Sequence, residues 1–103
     1  MSGPANPERG EAALAIGDAC HVVRPSFAAL VAAEQELGPL LELVERAAAG
    51  KLSIGEIVGL IWHCLKDPPH LSREEFGEAL VGLGLKAITP VLRTLIGQIL
   101  AGR

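Results

Sequence analysis

"RGEAALAIGDACHVVRPSFAALVAAEQELG", residues 9–38, decides the fold because its hydrophobic period changes partway along. The runs "EAALAI" and "CHVVR" flank Gly17 and Asp18. Gly accepts a positive φ and Asp tolerates tight turns, so this pair predicts a β-hairpin over roughly residues 11–24 with Leu14, Ile16 and Val23 on its buried face. From Ser26 the period lengthens. Ser26 reads as an N-cap, Phe27, Leu30, Val31 and Leu37 as the inward stripe of a helix, and Gly38 as its stop. A two-stranded ribbon alone is marginal in water, so the hairpin must lie on the helices that follow it.

Downstream, only helical spacing recurs. Pro39 suits the first turn of a second helix, "PLLELVERAAAG", with Leu40, Leu43, Val44 and Ala47 repeating at three and four. "SIGEIVGLIWHCLKD" opens on Ser53 and Glu56, a Ser-x-x-Glu box in which each side chain satisfies a backbone N–H at the other's position. Ile54, Ile57, Val58, Ile61 and Leu65 then share one face, and Asp67, Pro68 and Pro69 end the helix. "LSREEFGEALVGLG" repeats the device with Ser72 and Glu75 as the box and Phe76, Ala79, Leu80 and Leu83 as the stripe. Thr89 before Pro90 reads as an N-cap and first-turn proline for the last helix, "PVLRTLIGQILAG". The expected architecture is mainly α, an N-terminal hairpin followed by about five short helices in a compact bundle. Residues 1–8, carrying "MSGPANP", read as a flexible lead-in and residues 9–103 as a single domain.

Composition excludes several functions. The chain has 103 residues, 9 Lys plus Arg against 12 Asp plus Glu, and a formal net charge of −3. That balance argues against nucleic-acid and membrane-surface binding, both of which need clustered basic residues. A helix-turn-helix DNA-binding regulator is the more serious rival, but "SREEFGEAL" and "PLLELVERAAAG" are too acidic for a recognition helix, and Lys51, Lys66, Arg73 and Lys86 do not cluster. No apolar run reaches the ~18 residues needed to span a bilayer. The N-terminus lacks a charged start followed by an apolar run, and Cys20 and Cys64 fit no disulfide framework, which predicts a cytoplasmic protein with reduced thiols.

The chemistry-bearing residues do not assemble into a site. His63 and Cys64 are adjacent but diverge around a helix, and Cys20 and His21 point to opposite faces of a strand, so neither pair chelates a metal. His21, His63 and His70 share no spacing that would set a base beside a nucleophile. "LSREEFGEAL" lacks the Asp-rich loop of a calcium site, and no glycine-rich phosphate loop is present. The expectation is therefore no catalytic residue, no cofactor and no metal. Glu34 lies on or near the stripe of the first helix. It either reaches water or pairs with Arg24, Arg46 or the start of the next helix.

What remains is surplus apolar surface. Half the residues are hydrophobic and the mean hydropathy is +0.38. On the last helix Val91, Leu92, Leu95, Ile96, Ile99 and Leu100 cover an arc wider than one packed neighbour needs. That face is the candidate partner surface, carried by Val91, Leu95, Ile96, Ile99 and Leu100. Trp62, at the rim of the third helix's stripe, is either core edge or an interface anchor. Phe27, Glu34, Gly38, Ser53, Glu56, Ser72 and Glu75 are read as structural.

The order of these signals carries a resemblance. "N-x-x-R-G-E" (Asn6, Arg9, Gly10, Glu11) precedes the hairpin, and "R-P-S-F-A-A-L-x-x-x-E-x-x-L-G" runs from Arg24 to Gly38. Then come "A-A-G-K-L-S", a third helix and "L-S-x-E-E". The chain resembles the small tail protein family of gene transfer agents and siphophage-like prophages, of the phage tail tube or tail assembly chaperone type. The resemblance implies a non-enzymatic role in tail morphogenesis, foremost as a chaperone binding the tape-measure protein in the bacterial cytoplasm during particle assembly. The alternative it leaves is a structural tail subunit, tube or head-tail, that oligomerises and stays with the virion. A tube builder needs an extended sheet to close its ring, and this chain is short for one.

Overall fold

The computed structural model describes residues 11–16, 19–67 and 70–101. The expected lead-in over residues 1–8, the Gly17–Asp18 turn and the Pro68–Pro69 stop lie outside them. Two strands, β1 (Ala12–Ile16) and β2 (Ala19–Val23), are followed by five helices, α1 (Phe27–Leu37), α2 (Leu40–Ala48), α3 (Ile54–Cys64), α4 (Arg73–Leu83) and α5 (Leu85–Ala101). The mainly helical architecture with an N-terminal hairpin is thus the one the sequence implies.

β1 and β2 are antiparallel, with Ile16 opposite Ala19 and Ala12 opposite Val23, the register a two-residue connection imposes. The hairpin does not stand alone. Beyond the strands, Val23 bridges Leu65, the Arg24 N–H donates to the Cys64 carbonyl at 2.6 Å and the Lys66 N–H to the Val22 carbonyl at 2.9 Å. The free edge of β2 is therefore tied to the end of α3, while Leu14 and Val23 sit in the core.

α3 is the central element. Val58, Gly59, Leu60, Ile61 and Cys64 are all buried, although they point in almost every direction around the helix axis. A helix apolar all round belongs in an interior. The single expected stripe was too narrow: Leu60 and Cys64 belong to the core, and Ile54, in the first turn, is exposed. Phe76 and Leu80 of α4 and Leu43 of α2 are fully buried in the same core.

α1 and α5 also differ from their sequence reading. On α1 the buried residues are Ala29 and Ala33, whereas Phe27 is 85% exposed and Val31 37%. Phe27 is therefore not a core residue. The reason is a close approach between α1 and α3: a Cβ on Gly59 would lie 3.3 Å from Leu37 Cδ2 and 2.6 Å from Arg73 Nη2. Such contact selects small residues for the facing surface, and the large side chains are displaced to its edges. α5 starts at Leu85, so Pro90 is internal and Thr89 is not its N-cap. The Thr89 hydroxyl instead donates to the Leu85 carbonyl at 2.8 Å. An internal proline costs about 3 kcal/mol of helix stability, but Ile88 and Val91 on either side of it are both buried, and that packing overrides the local stop. α4 and α5 meet at Gly84 with a bend of 112°. Among the described residues no single helix is long and apolar enough to cross a membrane.

Candidate partner-binding groove

α5 presents its sequence to two environments. Ile88, Val91 and Leu95 are buried, facing the core they share with Leu14 and Phe76. Residues 85, 88, 89, 92, 93, 96, 97 and 100 recur at three and four along the helix and line a groove whose opposite wall is the C-terminal end of α2. That wall is Ala47, Ala48 and Gly50, extended by Leu52 and Ile57. Toward the end of α5 the groove has a volume of ≈ 570 Å³. Small residues keep that wall low opposite Leu100, which is 64% exposed; Leu85, at the other end of the groove, is 57% exposed.

This geometry divides the residues expected to meet a partner. Val91 and Leu95 are spent inside the molecule, at 6% and 0% exposure. Both β1 and α4 pack on α5, and Val91 and Leu95 share one core with Leu14 and Leu80. Ile96 and Leu100 line the groove, Ile99 is half-buried outside its lining, and Trp62 lies apart on α3 with its ring 5.5 Å from that of Phe76. Trp62 is thus at the edge of the core. The α2 wall went unread because "RAAAG" looks in sequence like an ordinary helix end. Its run of small residues was the available signal.

Charged side chains fasten the remainder of the bundle. Glu36 on α1 accepts from both terminal nitrogens, Nη1 and Nη2, of Arg73 on α4, and its Oε1 lies 2.8 Å from His63 Nε2 on α3. The Arg73 bonds, followed by that of His63, hold the Glu36 carboxyl down at about 2. Arg46 on α2 grips Glu56 on α3 through both carboxylate oxygens, one bond measuring 2.8 Å. Glu56 also accepts the Ser53 N–H at 3.0 Å, while Ser53 Oγ accepts the Glu56 N–H at 3.2 Å. Arg46 first, then Ser53, brings this carboxyl to about 2. Ser72 and Glu75 form the same box on α4, and the bonds from Ser72 lower the Glu75 carboxyl. Neither partner of Glu36 nor that of Glu56 was foreseen, since separations of 10 to 37 residues leave no trace in local spacing.

Glu34 is exposed and accepts the Leu40 N–H at 3.0 Å, at the start of α2. An acid there offsets the positive end of the helix dipole. Gly38, at φ +96°, donates its N–H to the Glu34 carbonyl at 3.0 Å and turns the chain between the helices in a conformation L side chains rarely adopt. Glu11 is 3% exposed, between Arg24 Nε at 4.0 Å and Lys66 Nζ at 3.9 Å, where it joins the root of the hairpin to the end of α3.

Burial pushes the Cys64 thiol up to about 12, so it is protonated at neutral pH. Among the described residues no hydroxyl or thiol is bonded to a histidine, and no three His, Cys, Asp or Glu are placed to hold a metal ion. What the arrangement offers is an apolar groove between α5 and the end of α2. A family model described as phage tail tube protein, GTA-gp10, matches residues 9–102. No curated protein and no solved structure matches the chain.

Proposed function

The chain belongs to the phage tail tube protein family, GTA-gp10, and from that membership we propose that it is a tail assembly chaperone, holding helical segments of the tape-measure protein in the α2–α5 groove. Membership places the protein among tail proteins that interact with other tail subunits, a structural and typically non-enzymatic class. The observation that carries the finer reading is the groove itself: an apolar stripe along α5, partly buried at Leu92 and Ile96 and more than half exposed at Leu85 and Leu100. Such a surface suits an amphipathic helix laid into a groove. The shortness of the sheet supports the same choice. A ring-forming tube subunit needs strands that continue from copy to copy, and the described residues hold one hairpin of two five-residue strands.

The second reading, a structural tail subunit that oligomerises through the same groove, is favoured by the family's description as a tube protein. A DNA-binding regulator finds no support in the family, and the acids of α1, α2 and α4 oppose it. Two measurements separate the readings. Co-expression with the tape-measure protein should yield a complex, and mass spectrometry of finished particles should find the chain absent. Stoichiometric recovery in particles, with no tape-measure complex, would replace the chaperone with the structural subunit.

A further inference from the structure

Charge is distributed unevenly around the groove, and the unevenness specifies its occupant. Among the five described helices, α1 carries Glu34 and Glu36, α2 Glu42 and Glu45, α3 Glu56, and α4 Glu74, Glu75 and Glu78. α5 has no acid at all; its charges are Lys86 and Arg93. In a chain of net charge −3 it is the one basic helix among those described. Lys86 and Arg93 are seven residues apart, so they lie almost above one another, about 10 Å apart along the axis. Both are exposed, and Arg93 lines the groove beside Ile96 and Leu100. No acid lines either part of the groove. The pair therefore borders the apolar stripe on its solvent side, opposite the flank that Val91 and Leu95 bury.

We infer that the groove is built for a partner helix whose apolar stripe is bordered by acidic residues, which Lys86 and Arg93 meet as the stripe settles against Leu85, Leu92, Ile96 and Leu100. This rests on the reading of the groove as a polypeptide-binding site and adds the partner's charge pattern and register. The stripe from Leu85 to Leu100 spans about 22 Å, so the occupant is a helix of about fifteen residues. Rim charges of this kind mainly steer encounter and fix register. They also reject a helix with basic borders, which would bring like charges together.

The test uses two synthetic amphipathic helices of about fifteen residues with the same Leu/Ala stripe, one bordered by Glu and the other by Lys, titrated into the full chain at low and high salt. The Glu-bordered peptide should bind about tenfold more tightly at low salt, with the difference shrinking as salt rises. Arg93→Glu, at an exposed position that leaves the fold intact, should abolish or invert the preference. Equal binding of the two peptides, binding of neither, or an unchanged preference in Arg93→Glu would overturn the inference. So would sedimentation showing that the chain self-associates and that Arg93→Glu abolishes it, since the occupant would then be a second copy. If the Glu-bordered peptide binds with the expected preference while tape-measure protein fails to displace it, the tail-chaperone reading fails and the groove assignment stands. If tape-measure protein binds and neither peptide competes, the groove assignment fails alone.

Discussion

α3 and α5 are both strongly apolar helices, yet one is sealed and the other is half open. α3 buries residues around its whole circumference because α1, α4 and the end of β2 surround it. α5 buries Ile88, Val91 and Leu95 and leaves Leu85 and Leu100 in solvent; the wall opposite Leu100 is low, formed by Ala47, Ala48 and Gly50. Hydrophobicity alone does not mark a docking surface. What marks it is apolar area that no neighbouring element is tall enough to cover.

The largest effect should come from emptying the sealed region. Phe76 is fully buried against α3 with its ring near Trp62, so Phe76→Ala should lose about 3–5 kcal/mol in denaturant unfolding. Leu100→Ala in the open region should change stability by no more than about 0.5 kcal/mol. Comparable losses at both positions would erase the distinction. Next in size is the α1–α3 contact. Gly59→Val places methyl groups where Arg73 and Leu37 already crowd a Cβ, and should cost about 1–3 kcal/mol. A neutral result would show that α1 can move away freely.

The smallest effect is electrostatic and is confined to acid pH. The folded-state carboxyls of Glu36 and Glu56 are lowered from 4.5 to about 2. Each therefore favours the folded state above the unfolded value, and that contribution fades as pH falls from about 4.5 toward 2. Thermal midpoints measured across this window should decline, less steeply in Glu36→Gln and Glu56→Gln. The Glu36 side chain is 38% exposed and that of Glu56 19%, so solvent still screens both pairs; the gain is modest and should shrink in salt. Variant curves parallel to the parent's would mean that the pairs contribute nothing.

Much of the fold was legible because its signals are local. The Ser53–Glu56 and Ser72–Glu75 boxes, the Gly38 stop and the hairpin register each involve residues a few positions apart, and each is present as a local structure. What could not be read depends on neighbours. Phe27 has the spacing of a core residue but faces solvent, because the residues that α1 buries are Ala29 and Ala33. The Thr89–Pro90 pair has the form of a helix start, but burial of Ile88 carries the helix back to Leu85. The same limit applied to the groove. The apolar arc of α5 was visible in sequence, but which half its neighbours β1 and α4 would cover was not, so Val91 and Leu95 could not be told from Ile96 and Leu100.

Hydrogen exchange of the chain with and without tape-measure protein tests the central claim most directly. The account predicts that binding slows exchange along residues 85–101 and at 47–52, while α3, already sealed, changes little. Protection appearing instead around Phe27 on α1 or Val81 on α4, with α5 unchanged, would contradict it.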